Sequence, residues 1–544
     1  MANAMLVRFP LSSAAPSLLG VIVLAALAAP PGAWAQAAPP ARDGLHLLDA
    51  VRDALKQNAS TLIQQQQVAS SEGQVLQQQG AFDPIASLTL ARQRVSTTLP
   101  GYTEDQILAG GITNVFQQKT IVNSNLFGIS KLLPNGMTVG ANYGVTSTQD
   151  NINDLLYNIQ NGGRETSGKL SFTLTAPLLK NAGRDTVEAP LDAAKAQAQA
   201  ARSNLLFTNS QTVLGTTIAY WGYVGARKNL EIARAAENNA DILLQQVRKL
   251  VAADEIPASE IDFAVGSRSD RSATRISAEQ ALVDARRVLA RQLGLTGEEM
   301  SKLPPAADDF PDLTTVNLDI DRDTDRLVKR ALERRADLEA NRTLLQATGR
   351  LVLAARNNLK PELDLSAGFS YAGLSEGSQF TSLEKSFYSN RYGPSFNISL
   401  SLQWPVGNSQ ANGLLVAQLA QEQQAEITVH DLESTIASNV TTQVRGLLHS
   451  VAQLREGIES VRRYTTSVQN ELTKRRLGNA TLLDVVNMQD RLVSAQFSET
   501  QQRQAYANAI AQLRFETGSL VRRDGDAFDF RIKDVIYPEF GPAD

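Results

Sequence analysis

Residues 394–404 read P-S-F-N-I-S-L-S-L-Q-W, in which Phe396, Ile398, Leu400, Leu402 and Trp404 alternate with Asn397, Ser399, Ser401 and Gln403. Successive side chains of a strand point to opposite faces, so this period of two predicts a β-strand with one apolar and one polar face. Just upstream, Leu363, Leu365, Ala367, Phe369 and Tyr371 stand against Asp364, Ser366, Gly368 and Ser370. The first half of the chain repeats the pattern with Leu170, Phe172, Leu174 and Ala176 against Ser171, Thr173 and Thr175, and Leu88 and Leu90 begin a weaker example after Pro84. Each run is about ten residues, enough to cross a bilayer as a tilted strand with a lipid-facing row. The edge of a soluble β-sandwich alternates in the same way, so a single strand does not choose between the two.

Between the alternating runs lie long stretches without proline, Leu191 to Ile256 and Val406 to Tyr537, rich in Ala, Gln, Leu, Glu and Arg. These residue types favour helix, and a helix of about 60 residues would reach roughly 90 Å. A fibrous coiled coil fits the helical stretches but not the strands that interrupt them.

The pattern of helix, strand, loop, strand, helix occurs twice. Shifting residues 51–88 by 277 positions places Val51 on Val328, Ala54 on Ala331, Leu55 on Leu332, Ala59 on Ala336, Val75 on Val352, Leu76 on Leu353, Pro84 on Pro361 and Leu88 on Leu365. The paired prolines fall where helix gives way to strand, as expected of a residue that lacks an amide donor and restricts its predecessor. Pro177 and Pro405 mark the reverse switch, and K-L-V-A-A-D-E-I-P-A-S-E-I-D (249–262) resembles R-L-G-N-A-T-L-L-D (476–484). An internal duplication accounts for these correspondences.

At the amino terminus, Arg8, the apolar run Leu18–Ala29 and the small residues Ala33 and Ala35 predict a secretory signal peptide over 1–35, cleaved before Gln36. The formal charge of −4 gives no electrostatic footprint for nucleic acid. There is no cysteine, which excludes disulfides, thiolate metal sites and an acylated terminal cysteine. With no later apolar stretch long enough for a spanning helix, residence in a membrane has to come through strands.

The chain resembles the TolC family of outer membrane efflux proteins from about residue 45 to 520. The residues that carry the resemblance are A-L-K-Q-N-A and A-L-E-R-R-A-D-L opening the two halves, F-D-P and K-P-E at the strand starts, A-P-L-L-K-N-A-G-R after a strand, and R-R-L-G-N-A-T-L-L-D-V-V near the end. The resemblance implies an α+β membrane protein: a homotrimer whose transmembrane β-barrel continues into a long periplasmic α-helical barrel, each chain built from two internal repeats. The implied layout is a first repeat over 36–300 (strands near 84–97, 120–147 and 168–177), a linker over 301–325, a second repeat over 326–520 (strands near 361–373 and 394–405), and a periplasmic tail over 521–544. It also implies an outer-membrane exit duct working with a periplasmic adaptor and an inner-membrane pump. Phe396, Ile398, Leu400 and Leu402 are then the lipid-facing row.

Gly478, Asn479, Ala480 and Thr481 would form the periplasmic tip, and Asp484 falls where the family carries an aspartate lining the closed aperture. Threefold repetition would make a ring of carboxylates whose mutual repulsion raises their pKa; an ordinary acid at a helix start is the plainer alternative. The family's second aperture aspartate falls on Asn487, and its nearby basic residue on Ala480. One hairpin, around Pro134-Asn135-Gly136, exceeds two strands per half. It lies either outside a 12-stranded trimeric barrel or within one of about 18 strands.

Other patterns have bland explanations. Gly373-Leu374-Ser375-Glu376-Gly377 matches the G-x-S-x-G pattern of hydrolases, which needs a strand-to-helix turn, but is expected in a loop between strands. Asp319, Asp321, Asp323 and Asp325 lack the glycine and glutamate of a calcium loop and read as a solvated inter-repeat linker leading into a helix, where acids are favourable near the start. His46, His430 and His449 form no metal pattern, and no phosphate-loop motif occurs. Tyr220, Trp221 and Tyr223 read as packing residues, with a membrane-interface belt as the alternative. The sequence therefore predicts no enzyme, no cofactor and no metal; the competing reading is a non-transporting envelope tether or adhesin.

Overall fold

A computed structural model describes residues 44–98, 117–151, 164–313, 320–376, 392–524 and 527–529, with positions 101, 105 and 109. The signal segment 1–35 and Asp319 lie outside the described residues.

Helices α1 (Leu47–Gln57) and α2 (Ala59–Gln79) lead into strands β1 (Ile85–Thr98), β2 (Gln117–Leu132), β3 (Thr138–Asp150) and β4 (Arg164–Pro177). Two long helices follow, α3 (Ala189–Ala252) and α4 (Ser259–Gln292). The order then recurs as α5 (Ile320–Arg334), α6 (Ala336–Asn357), β5 (Glu362–Glu376), β6 (Tyr392–Gln403), α7 (Ser409–Arg476) and α8 (Leu482–Glu516). A small hairpin, β7 (Arg522–Asp524) with β8 (Ala527–Asp529), closes the described chain.

The 277-residue offset carries more than side-chain identities. It takes Asn58, the extended residue between α1 and α2, onto Arg335, the extended residue between α5 and α6. It also carries the first residue of β1 onto the first residue of β5. In each case the helix ends a few residues before the predicted proline, Pro84 or Pro361, and the chain leaves extended.

Local chemistry explains the long helices. Pro190 stands in the first turn of the 64-residue α3, where its missing N–H costs nothing, with Asp192 close behind. The 68-residue α7 ends on Lys474, Arg475 and Arg476, cations that complement the negative end of the helix dipole. At 1.5 Å per residue each is about 100 Å long.

All six long strands belong to one antiparallel sheet in the order β1-β2-β3-β4-β5-β6. This decides the placement of the extra hairpin: β2 and β3 are inserted between β1 and β4, so an arrangement with the hairpin outside the sheet is set aside. Gly136 makes the turn possible with a φ of +89°. A Cβ there would sit 2.1 Å from the Asn181 carbonyl, and the Gly183 N–H donates to the Asn135 carbonyl at 3.2 Å. The turn is thereby seated against the segment where β4 leaves the sheet.

Two further expectations need correction. Ser375 is not in a loop: it is a strand residue of β5 paired with Thr166 of β4. An extended, hydrogen-bonded backbone cannot present a nucleophile on a sharp turn. The linker over 301–325 is not solvated throughout, because Leu303, Ala306 and Phe310 are buried with Leu45, Leu47, Tyr220 and Trp221. Residues 321–325 lie within α5, where Asp323 pairs with Arg326 at 3.1 Å.

The core is divided into three clusters. One joins α1, α3, α4 and the linker, with Tyr220, Trp221 and Tyr223 buried in it as packing residues. A second joins α5 to α8 through Leu327, Leu338, Ile436, Leu447, Tyr506 and Ile510. The third lies at the far ends of the long helices. No described helix is long and apolar enough to cross a membrane.

Candidate functional site: the sheet faces and the helical tip

The register fixes which side chains share a face. Ala86, Ile129, Ala141, Phe172, Phe369 and Phe396 are successive cross-strand partners from β1 to β6. Leu174, Ala367 and Ile398 form the neighbouring row, and Ala176, Leu365 and Leu400 the next. One face of the sheet is therefore a continuous apolar band. Phe396, Ile398, Leu400 and Leu402 lie on it and are 63 to 69% exposed in the single chain.

The opposite face carries Ser171, Ser370 and Ser395 in one row and Thr175, Ser366 and Ser399 in another. Thr175 and Ser366 hydroxyls meet at 3.1 Å across it. Among the described residues the outer edges of β1 and β6 have no partner strand, and every residue of β1 is exposed. Unpaired edges beside an exposed apolar face are not a finished structure in either water or lipid.

At the other end, α7 stops in a Schellman motif. Gly478 takes a φ of +78° and donates its N–H to the Arg475 carbonyl, while the Asn479 N–H donates to the Lys474 carbonyl. Helix α8 then begins with a capping box between Thr481 and Asp484. Hydrogen bonds from the Thr481 hydroxyl and then the Thr481 backbone N–H hold the Asp484 carboxyl below the usual carboxylate range. The single chain thus moves this group opposite to the direction expected of a carboxylate ring, and shows it capping a helix. Asn487 is exposed one turn further along α8, and Ala480 is half-buried in the turn.

The turn between α3 and α4, whose sequence resembles that of the second, between α7 and α8, also copies its geometry: Asp254 adopts a φ of +56°, its N–H donating to the Val251 carbonyl and the Glu255 N–H to the Leu250 carbonyl. The sequence reading missed the contacts that follow. The two tips share one apolar cluster of Leu243, Leu244, Val247 and Ala264 with Leu482 and Val486. Arg271 of α4 forms an ion pair with Asp490 of α8, linking the two helical pairs. Leu477 and Leu483 flank the second turn at 71 and 51% exposure. Two leucines beside a glycine turn are a visible signal, but their exposure is not.

No group of three or more potential metal ligands occurs among the described residues. What the chain offers is a two-faced sheet with open edges, continued by paired helices longer than a bilayer is thick. Those features make a mixed helix-and-sheet fold that matches TolC-like channel structures. Residues 327–519 match the family model described as outer membrane efflux protein.

Among curated proteins it is 23% identical over 342 residues to the outer membrane protein TolC of Vibrio cholerae, covering 61% of this chain and 74% of that one. Its fold resembles that of the outer-membrane channel OprN, with a TM-score of 0.61 and 15% identity over 87% of this chain and 90% of that one. The Campylobacter jejuni outer membrane channel CmeC gives the same TM-score of 0.61 at 13% identity, over 87% of this chain and 85% of that one. These structural likenesses are of fold.

Proposed function

We propose that three copies of this chain close one pore, an outer-membrane exit duct that works passively with a periplasmic adaptor and an inner-membrane pump. The observation that carries the reading is the six-stranded sheet with a single apolar face and unpaired β1 and β6 edges. Since β1 and β6 run in opposite directions, β6 of one copy can pair with β1 of the next in antiparallel fashion. Three sheets then close a barrel of eighteen strands with no edge left in lipid. A barrel of that size leaves an aqueous channel.

The apolar band, including Phe396, Ile398, Leu400 and Leu402, would face lipid and the Ser/Thr face the lumen. Helices α3, α4, α7 and α8 would continue the duct through the periplasm to a tip at Gly478–Thr481, with Asp484 and Asn487 at the aperture. The matching element boundaries support two structural repeats, 36–300 and 326–520, joined by 301–325, with 521–544 a periplasmic tail. No phosphate-loop motif occurs in the sequence, so energy would come from the partners. An envelope tether has no use for a one-sided apolar sheet.

The test is a map of the detergent-solubilised particle combined with single-channel recording in planar bilayers. The reading expects threefold symmetry, eighteen strands and stable conductance. A monomeric particle that never conducts would overturn it.

A further inference from the structure

The charges of the sheet are sorted between its faces. On the apolar face the six strands carry Arg92, Arg94, Lys119, Lys131 and Arg164 and no acid. On the polar face, among the described side chains, they carry Asp150, Glu165, Glu362 and Asp364, with Lys169 the single cation. Cations on a face made for hydrocarbon are costly near the bilayer midplane and cheap only at its borders. Their positions match this rule and add an asymmetry.

The apolar row nearest the loop end runs through Leu90 and Val145, with Asn125 between them. Arg92 is one row beyond it, Arg94 and Arg164 share the next row through Ile121 and Gln149, and Lys119 is paired with Ser96 beyond that. Rows on one face are about 7 Å apart and neighbouring strands about 4.8 Å. All four cations therefore fall within a patch roughly 15 Å across, at the loop end of the sheet away from the helices. The helical end of the same face has Lys131 alone.

Snorkelling of long basic side chains toward a polar border would populate both ends alike; this face does not. Among the described residues none of the four has an acidic partner, and Arg164 donates there to the Gln149 amide oxygen at 3.5 Å. A compact group of like charges sets up a positive potential that favours an anionic ligand. Three of the four are arginines, whose planar fork binds phosphate in bidentate fashion.

We propose that Arg92, Arg94, Lys119 and Arg164 form a docking site for the phosphoryl groups of a multiply phosphorylated, acylated glycolipid of the outer leaflet, with its chains lying on the apolar rows below. The inference rests on the barrel reading, which puts this face toward lipid at the extracellular border. The acids on the opposite face repel the same headgroup from the lumen, so the anion has one side from which to approach. Three copies would present three such sites around the barrel rim.

The experiment uses the full-length protein in detergent and in planar bilayers. Native mass spectrometry measures retention of a bisphosphorylated, acylated glucosamine disaccharide, of the same lipid with its phosphates removed, and of phosphatidylglycerol. The proposal expects the triple variant Arg92→Gln/Arg94→Gln/Arg164→Gln to bind the phosphorylated glycolipid at least tenfold more weakly, and Lys169→Gln to bind it like the parent. The dephosphorylated lipid should bind the parent no better than the phosphorylated one binds the triple variant. Equal binding by parent and triple variant, equal retention of phosphatidylglycerol, or displacement by millimolar inorganic phosphate would each overturn it. Conductance separates the two readings: a parent that never conducts sinks the barrel, whereas normal conductance in all variants with unchanged glycolipid binding sinks this site alone.

Discussion

The carboxylate of Asp484 accepts hydrogen bonds from the Thr481 backbone N–H at 2.9 Å and from the Thr481 hydroxyl at 2.7 Å, while the Asp484 N–H donates back to that hydroxyl at 3.2 Å. This reciprocal cap fixes where the carboxylate stands without burying it. Thr481→Ala removes the hydroxyl, and loss of such a cap costs about 0.5–2 kcal/mol of helix stability. Amide exchange over residues 482–486 should accelerate in this variant; unchanged protection there would mean that the cap does not hold α8.

The same carboxylate has a second, separable consequence if three copies surround the aperture. Asp484→Ala should weaken block of the channel by multivalent cations added from the tip side. The difference from the parent should shrink with salt, as the screening length falls from about 10 Å at 0.1 M to about 3 Å at 1 M. Undiminished block in a normally conducting Asp484→Ala channel would place this residue away from the constriction.

Ile398 and Ser399 are neighbours on opposite faces of β6, Ile398 beside Ala367 and Ser399 beside Ser366. Ile398→Arg should destabilise the proposed barrel by about 2–4 kcal/mol if it lies at the bilayer midplane. Ser399→Arg should instead change conductance and ion selectivity while leaving folding into vesicles intact. Equal effects of the two on folding would exclude the proposed lipid-facing row.

Arg335, buried at the α5–α6 junction, donates to both carboxylate oxygens of Asp337, at 3.0 and 2.7 Å, and pairs with Glu516 at the end of α8. Its guanidinium lies 5.6 Å from the ring centres of Phe207 and Phe515. Burial pulls its pKa down, but Asp337 and Glu516 together raise it. Arg335→Ala strands two poorly exposed carboxylates and should cost about 3–5 kcal/mol, whereas removing all three charges as Arg335→Met/Asp337→Leu/Glu516→Gln should cost far less. Denaturant unfolding of the two variants measures the difference; equal losses would show that packing, and not the stranded charge, dominates.

The hydroxyl of Tyr220 lies 2.8 Å from both the Leu45 carbonyl and the Asp308 carboxylate, which also accepts from the Leu47 N–H and sits 2.8 Å from His46 Nδ1. Burial pushes Asp308 upward, but hydrogen bonds from His46, the Leu47 N–H and Tyr220 outweigh it and lower its pKa from 3.8. The hydrogen bond to Asp308, aided by its charge, raises His46 from 6.5. By linkage, the Asp308 contribution is present above its unfolded value and lost as pH falls through the folded one. The His46 contribution is full below its unfolded value and lost as pH rises through the folded one. Protection of amides 45–51 should therefore decline on both sides of mildly acidic pH. In His46→Gln the alkaline decline should disappear while the acid decline remains; a persistent alkaline decline would assign it to another group.

Much of the architecture was legible in the chain because its signals are local. The alternation at 396–404 sets a strand whatever surrounds it, Pro84 and Pro361 end helices by lacking an amide donor, and Gly478 supplies a left-handed turn. Even the cap had a local mark, Thr481 standing three residues before Asp484. The expected loop at Ser375 failed because the polar, glycine-rich end of β5 is held extended by pairing with β4, a partner about 200 residues away in sequence.

What only the tertiary structure decided depends on which distant segments meet. Nothing in residues 117–150 states that their hairpin belongs between β1 and β4, since that follows from the free edges of its neighbours. The alternation in β1 places Arg92 and Arg94 on one face, but only the cross-strand register puts them beside Lys119 and Arg164 with no acid among them. The pairing of Tyr220 with Asp308 and of Arg335 with Glu516 likewise joins residues far apart in sequence. Periodicity and backbone propensity act over a few residues and are written in the sequence, whereas register, edge closure and buried charge are set by contacts that exist only after the chain has folded back on itself.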